Sequence, residues 1–140
     1  MKLTLKNGDL KAALDALETL CTGVNRLPTL AALRASRTFR ALGGAWATVD
    51  GLRNQLIKDH GEEKDGTFSV APGSPGMAAF MAAWIEALGA ESEVEVETLT
   101  VADIEAGWSR EDGKKGPLDI SPAELGNLRA VGILVETQEG

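Results

Sequence analysis

The chain is 140 residues long, 44% hydrophobic, 25% charged and net -7, with one cysteine, one histidine and no tyrosine. That length and apolar content suffice for one self-contained core, whereas a lone cysteine excludes an intrachain disulfide and a cysteine-based zinc site. Charge is split along the chain: Met1 to His60 carries nine Lys/Arg against five Asp/Glu, and Gly61 to Gly140 carries five against sixteen. A chain polarised in charge but poor in nucleophiles, metal ligands and aromatic rings has surfaces rather than chemistry to offer.

Lys2 to Lys6 alternates, with Leu3 and Leu5 on one side, which predicts a short half-buried strand. A turn is expected at Asn7-Gly8, with Asp9 capping a helix whose stripe is Leu10, Ala13, Leu14, Leu17, Leu20 and Cys21, ending near Gly23. The segment Met1 to Lys6 is too short and too interrupted by charge to read as a signal peptide, and no apolar run approaches the ~20 residues that span a bilayer. A soluble protein is expected.

Leu27-Pro28 opens the longest helical pattern, with Phe39, Leu42, Trp46, Val49, Leu52 or Arg53, and Leu56 marking its apolar face as far as His60. Gly43-Gly44 falls in its middle, where each glycine costs about 1 kcal/mol relative to alanine, so the pair predicts a kink, a break or a close helix crossing. Residues at about 61–76 combine a polar stretch with Ala71-Pro72-Gly73-Ser74-Pro75-Gly76 and read as a flexible connection within a single domain spanning 1–140. Ser74 then caps a helix with Met77, Phe80, Met81, Trp84, Ile85 and Leu88 on one face and Gly89 at its end.

From Glu91 the period changes to two, predicting a strand with one buried and one acidic face. A turn of helix is expected from Thr100 to Trp108, then a charged loop through Lys115. Ser121-Pro122-Ala123-Glu124 is a capping-box pattern opening a helix with Leu125 and Leu128 inward, and Val131, Ile133 and Val135 suggest a last strand. Together these elements predict an α+β fold, mainly helical, with a small two- or three-stranded sheet built from the N-terminal, acidic and C-terminal strands.

Candidate chemistry is thin. His60 stands among Asp59, Glu62, Glu63 and Asp65, but the set lacks zinc-type spacing and the ligand order of an EF-hand, so a helix-end histidine beside a solvated loop explains it better. Cys21 has no activating base nearby in sequence, and Ser74 lacks the Gly-x-Ser-x-Gly order of a nucleophile elbow. The glycine-rich stretches make no phosphate loop. No catalytic residue, cofactor or metal is expected, and the chain reads as a non-enzyme.

Two charged features are candidate partner-binding surfaces. Arg34, Arg37 and Arg40 recur every three residues along the long helix, suited to phosphate or carboxylate contacts; the plainer reading is a solvated face or pairing with the acidic half. Glu91, Glu93, Glu95 and Glu97 could occupy a basic groove on a partner; the plainer reading is an edge strand protected from aggregation by charge. Nucleic acid is not expected, given the net charge and the absence of aromatics interleaved with the arginines.

The opening Met1-Lys2-Leu3-Thr4-Leu5-Lys6-Asn7, the Leu27-Pro28 helix entry, the Leu56-Ile57-Lys58-Asp59-His60-Gly61 exit, the Val94-Glu95-Val96 strand and the closing Ser121-Pro122-Ala123-Glu124-Leu125 together resemble small uncharacterised proteins encoded by tailed bacteriophages and prophages. The resemblance is to an order of segments, and it implies a phage-encoded protein in the bacterial host cytoplasm or the particle. The expectation is a protein–protein interaction module, a virion or assembly component, whose partner is a phage structural protein. The alternative is an inhibitor of a host enzyme or defence complex acting through the acidic strand or the arginine strip. A membrane is not an expected partner, and a homo-oligomer is compatible with either reading.

Overall fold

The computed structural model describes residues 1–111 and 114–137. It is an α+β fold, 57% helical with 21% strand. Strand β1 (Lys2–Lys6) runs directly into helix α1 (Asn7–Cys21). The turn expected at Asn7-Gly8 is instead the helix's first turn, because Asn7 has better partners than a turn would supply. Its side-chain Nδ2 donates to Ala87 O (2.8 Å), and its Oδ1 accepts from Ser92 Oγ. Its backbone N–H reaches Ala90 O at 2.9 Å.

Helix α1 is the centre of the core. It buries Leu10, Ala13, Ala16, Leu17 and Leu20 and packs against three other helices, so its apolar arc is wider than a two-layer packing would need. A two-residue strand β2 (Asn25–Arg26) leads to helix α2 (Thr29–His60), whose 32 residues run without interruption through Gly43-Gly44. Of the two glycines only Gly43 faces α1, at an ordinary contact distance. A Cβ on Gly43 would sit 4.0 Å from Leu14 Cδ1 of α1, whereas Gly44 faces open space.

The first two-thirds of α2 bury Ala31, Ala35, Thr38, Leu42 and Val49, and no residue beyond Val49 is buried. The last turns of α2 therefore project past the core. The polar stretch that follows is a hairpin, β3 (Glu62–Lys64) and β4 (Thr67–Ser69), closed by Asp65 (φ 53°) and Gly66 (φ 78°). Two successive positive φ values define the tight turn whose twist matches antiparallel strands, and Asp-Gly is its favoured sequence. Helix α3 (Pro75–Gly89) then returns along α2, capped as expected by Ser74 Oγ, which accepts from Met77 N.

Strand β5 (Glu91–Glu95) pairs antiparallel with β1, and Leu5 and Val94 turn inward. The remaining strands do not join this pair as predicted. β6 (Leu99–Thr100) pairs in parallel with the C-terminal β9 (Leu134–Val135). Helix α4 (Val101–Glu105) is shorter than expected, and Trp108 belongs to β7 (Trp108–Glu111), which pairs with β2 and β8 (Lys114–Gly116) where a charged loop was predicted. Helix α5 (Pro122–Ala130) carries the predicted capping box, Ser121 to Glu124 and back, and buries Leu128.

Candidate functional site

Alternation along β5 places Glu91, Glu93 and Glu95 on its exposed side. The antiparallel register sets Lys6 against Glu91, Thr4 against Glu93 and Lys2 against Glu95. The ladder thus faces a lysine at each end and a threonine at its centre. Glu95 Oε1 also accepts from the Met1 amino group at 3.0 Å. Glu97 lies past the strand, where its backbone is clasped by the buried Thr38 hydroxyl: Oγ1 donates to Glu97 O (2.9 Å) and accepts from Glu97 N (2.8 Å).

The arginines diverge. A step of three residues turns a helix by about 300°, so each arginine is displaced by about 60° from the last and the three do not share one face. Arg34 pairs with Asp103 at 2.9 Å in a largely buried setting, and Arg37 pairs with Glu97 at 3.0 Å in a more open one. Arg40 is exposed and forms no ion pair among the described residues. Asp103 also closes the capping box of α4, accepting from Thr100 N at 2.9 Å. Burial opposes ionisation of Asp103, but the Thr100 N–H and the Arg34 guanidinium outweigh it and hold the carboxyl below its ordinary pKa. Arg34 borders a cleft of about 550 Å³ with Thr98 and Val135, and its Nε is buried without a hydrogen-bond partner.

The surface that sequence reasoning missed is on α3. Met77, Phe80, Met81, Trp84, Ile85 and Leu88 occupy an arc of about 140° on a helical projection. Packing buries one edge of that arc: Phe80 is in the core, Trp84 meets Trp46 of α2 edge to face (centroids 6.3 Å apart, 70° between planes), and Met77 and Leu88 are half-buried. Met81 (42% exposed) and Ile85 (62% exposed) stand outside, in a row with exposed Ala78, Ala82 and Gly89. Glu86 is the helix's single charged residue. A helix apolar around its whole circumference is ordinarily enclosed on all sides, and α3 is enclosed on one. Leu52 of α2 and Phe68 of the hairpin are further exposed apolar side chains on the projecting segment.

The residues considered for chemistry lie apart. Burial raises the Cys21 thiol above its ordinary pKa, against the smaller opposing effect of the Ser36 hydrogen bond, which disfavours the nucleophilic thiolate. His60 ends α2, and its carbonyl abuts Gly76 at the start of α3. Among the described residues no group of three or more His, Cys, Asp or Glu is placed to hold a metal ion, and no helix is long and apolar enough to cross a membrane. No protein-family model, curated protein or solved structure matches the chain. Function is therefore read from the surfaces alone.

Proposed function

We propose that this chain is a phage-encoded, non-enzymatic protein–protein interaction module, a virion or assembly component that presents the outer row of α3 to an apolar helix of a partner protein. The observation that carries the reading is that α3 is apolar apart from Glu86 while only Phe80 of it is buried. Small Ala78 and Ala82 flank Met81 and Ile85, so a second helix can approach closely and take the larger side chains into its grooves. The phage context rests on the segment order of the sequence.

Met81→Glu combined with Ile85→Glu tests this, because both side chains are already in water and the fold should tolerate the change. The double variant should keep its melting temperature and lose co-assembly with structural proteins expressed from the same phage, or lose self-association if the partner helix is a second α3. A folded variant that retains both would sink the reading. Inhibition of a host enzyme is the second reading. Within it Glu91 and Glu93 of the acidic strand are better supported than the arginine strip, since neither forms an ion pair among the described residues, whereas Arg34 and Arg37 are already engaged by Asp103 and Glu97.

A further inference from the structure

The three-stranded sheet β2–β7–β8 has a polar inner side and a cationic outer one. Asn25 and Ser109 are opposite each other in the register and both are buried. Asn25 Nδ2 donates to Thr19 O (2.8 Å) and Asp119 O (2.9 Å), its Oδ1 accepts from Asp119 N (2.7 Å), and Ser109 Oγ donates to Pro117 O. These bonds fasten the sheet to the end of α1 and to the segment before α5. Residues one position away project to the other side. There Arg26 lies opposite Trp108, and Arg110 lies opposite Lys115. Lys115 Nζ stands over the Trp108 ring, 4.9 Å from its centroid, and Arg26, Arg110 and Lys115 are exposed.

We propose that this outer face binds single-stranded nucleic acid, with one base stacking on Trp108 and the flanking phosphates meeting Arg26, Arg110 and Lys115. The spacing suits it. Residues two apart on a strand are about 7 Å apart and neighbouring strands about 4.8 Å, so cations stand beside the ring both along and across the strands. A base stacks on an aromatic platform whatever its identity, and the ring is already attractive to a cation, so Lys115 can leave it for a phosphate as the base arrives. A lipid surface fits less well, because the face offers only one half-buried ring and the small side chain of Val24 to insert. The net charge of -7 does not forbid the contact, since screening confines other charges to about 8 Å at physiological ionic strength. The aromatic ring that the sequence reading found missing beside the arginines of α2 stands on a different element. This inference uses none of the residues assigned to the partner helix, so the two stand or fall separately.

The test is fluorescence anisotropy of a labelled fifteen-nucleotide oligo-dT titrated with the full chain at 25 and 150 mM salt. Three phosphate contacts predict about 40-fold weaker binding at the higher salt, and Arg110→Gln with Lys115→Gln, leaving one contact, should reduce that to about 3- to 4-fold. Trp108→Leu should weaken binding at least tenfold while Trp108→Phe retains most of it, with thermal melts confirming that each variant is folded. No binding at 25 mM salt, unchanged affinity in the folded charge variant, or equal affinity for an abasic oligomer would overturn the proposal. So would stronger binding to phosphatidylserine vesicles or to poly-glutamate than to the oligonucleotide.

Discussion

Gly44 and Gly76 both lie in helices, yet a methyl group added to each meets different surroundings. At Gly44 it would point into open space, so Gly44→Ala should gain the helix propensity that glycine lacks and stabilise the fold by about 1 kcal/mol. At Gly76 the new Cβ would fall inside the van der Waals envelope of the His60 carbonyl oxygen, a backbone atom that moves only if α2 moves. Gly76→Ala should therefore cost about 1–3 kcal/mol despite the same gain in propensity. Urea melts of the two variants check this, and stabilisation in both would show that the contact between the end of α2 and the start of α3 is loose. Gly61 makes a similar backbone approach to Ile57 and Ser69, so both ends of the predicted connection abut the last turn of α2.

The partly buried Trp84 and Trp46 tie α3 to α2. Trp84→Ala should cost about 2–3 kcal/mol, less than a fully buried tryptophan would, and a double-mutant cycle with Trp46→Ala should return about 0.5–1.5 kcal/mol of coupling from the edge-to-face pair. Additive losses would mean that the rings merely fill space. At this scale legibility followed range. Ser121-Pro122-Ala123-Glu124 and Ser74-Pro75 announced their helices because a cap is made by residues three apart, and the alternation of β1 and β5 fixed which side of each was buried. The Asp65-Gly66 turn was equally local and was passed over because the surrounding composition read as loop. The pairing of Leu99–Thr100 with Leu134–Val135 left no trace, since two residues carry no period and their partners are 35 positions away. The outer row of α3 was hidden for a different reason: when nearly every position is apolar, periodicity cannot say which side a neighbour will cover.

Across the whole molecule the polarity of the sequence becomes complementarity within the fold. Arg34 and Arg37 from the basic half meet Asp103 and Glu97 from the acidic half, while Lys2 and Lys6 oppose Glu95 and Glu91. Acid should undo part of this. Asp103 and Glu124 both have carboxyl pKa values below their ordinary range, Glu124 chiefly through the Thr19 hydroxyl, which donates to it at 2.6 Å. A lowered folded-state pKa gives stability that is complete above the unfolded value, about 4, and is lost as pH falls through the folded one. Melts should be nearly flat from pH 7 to 5 and decline below about 4. Asp103→Asn with Glu124→Gln should be less stable at pH 7 and decline less steeply, and an unchanged acid profile would assign the decline to other carboxylates. The pairing of β1 with β5 has a consequence for synthesis. Lys2 cannot meet Glu95 until more than ninety further residues have been made, about 5–20 s at ribosomal rates of roughly 5–20 residues per second. Until then Asn7 also lacks Ala87, Ala90 and Ser92, so α1 waits with its first turn unanchored while α2 and the hairpin, contiguous in sequence, are made. Helix α1, the centre of the core, is thus the first helix made and one of the last to have its start fixed in place.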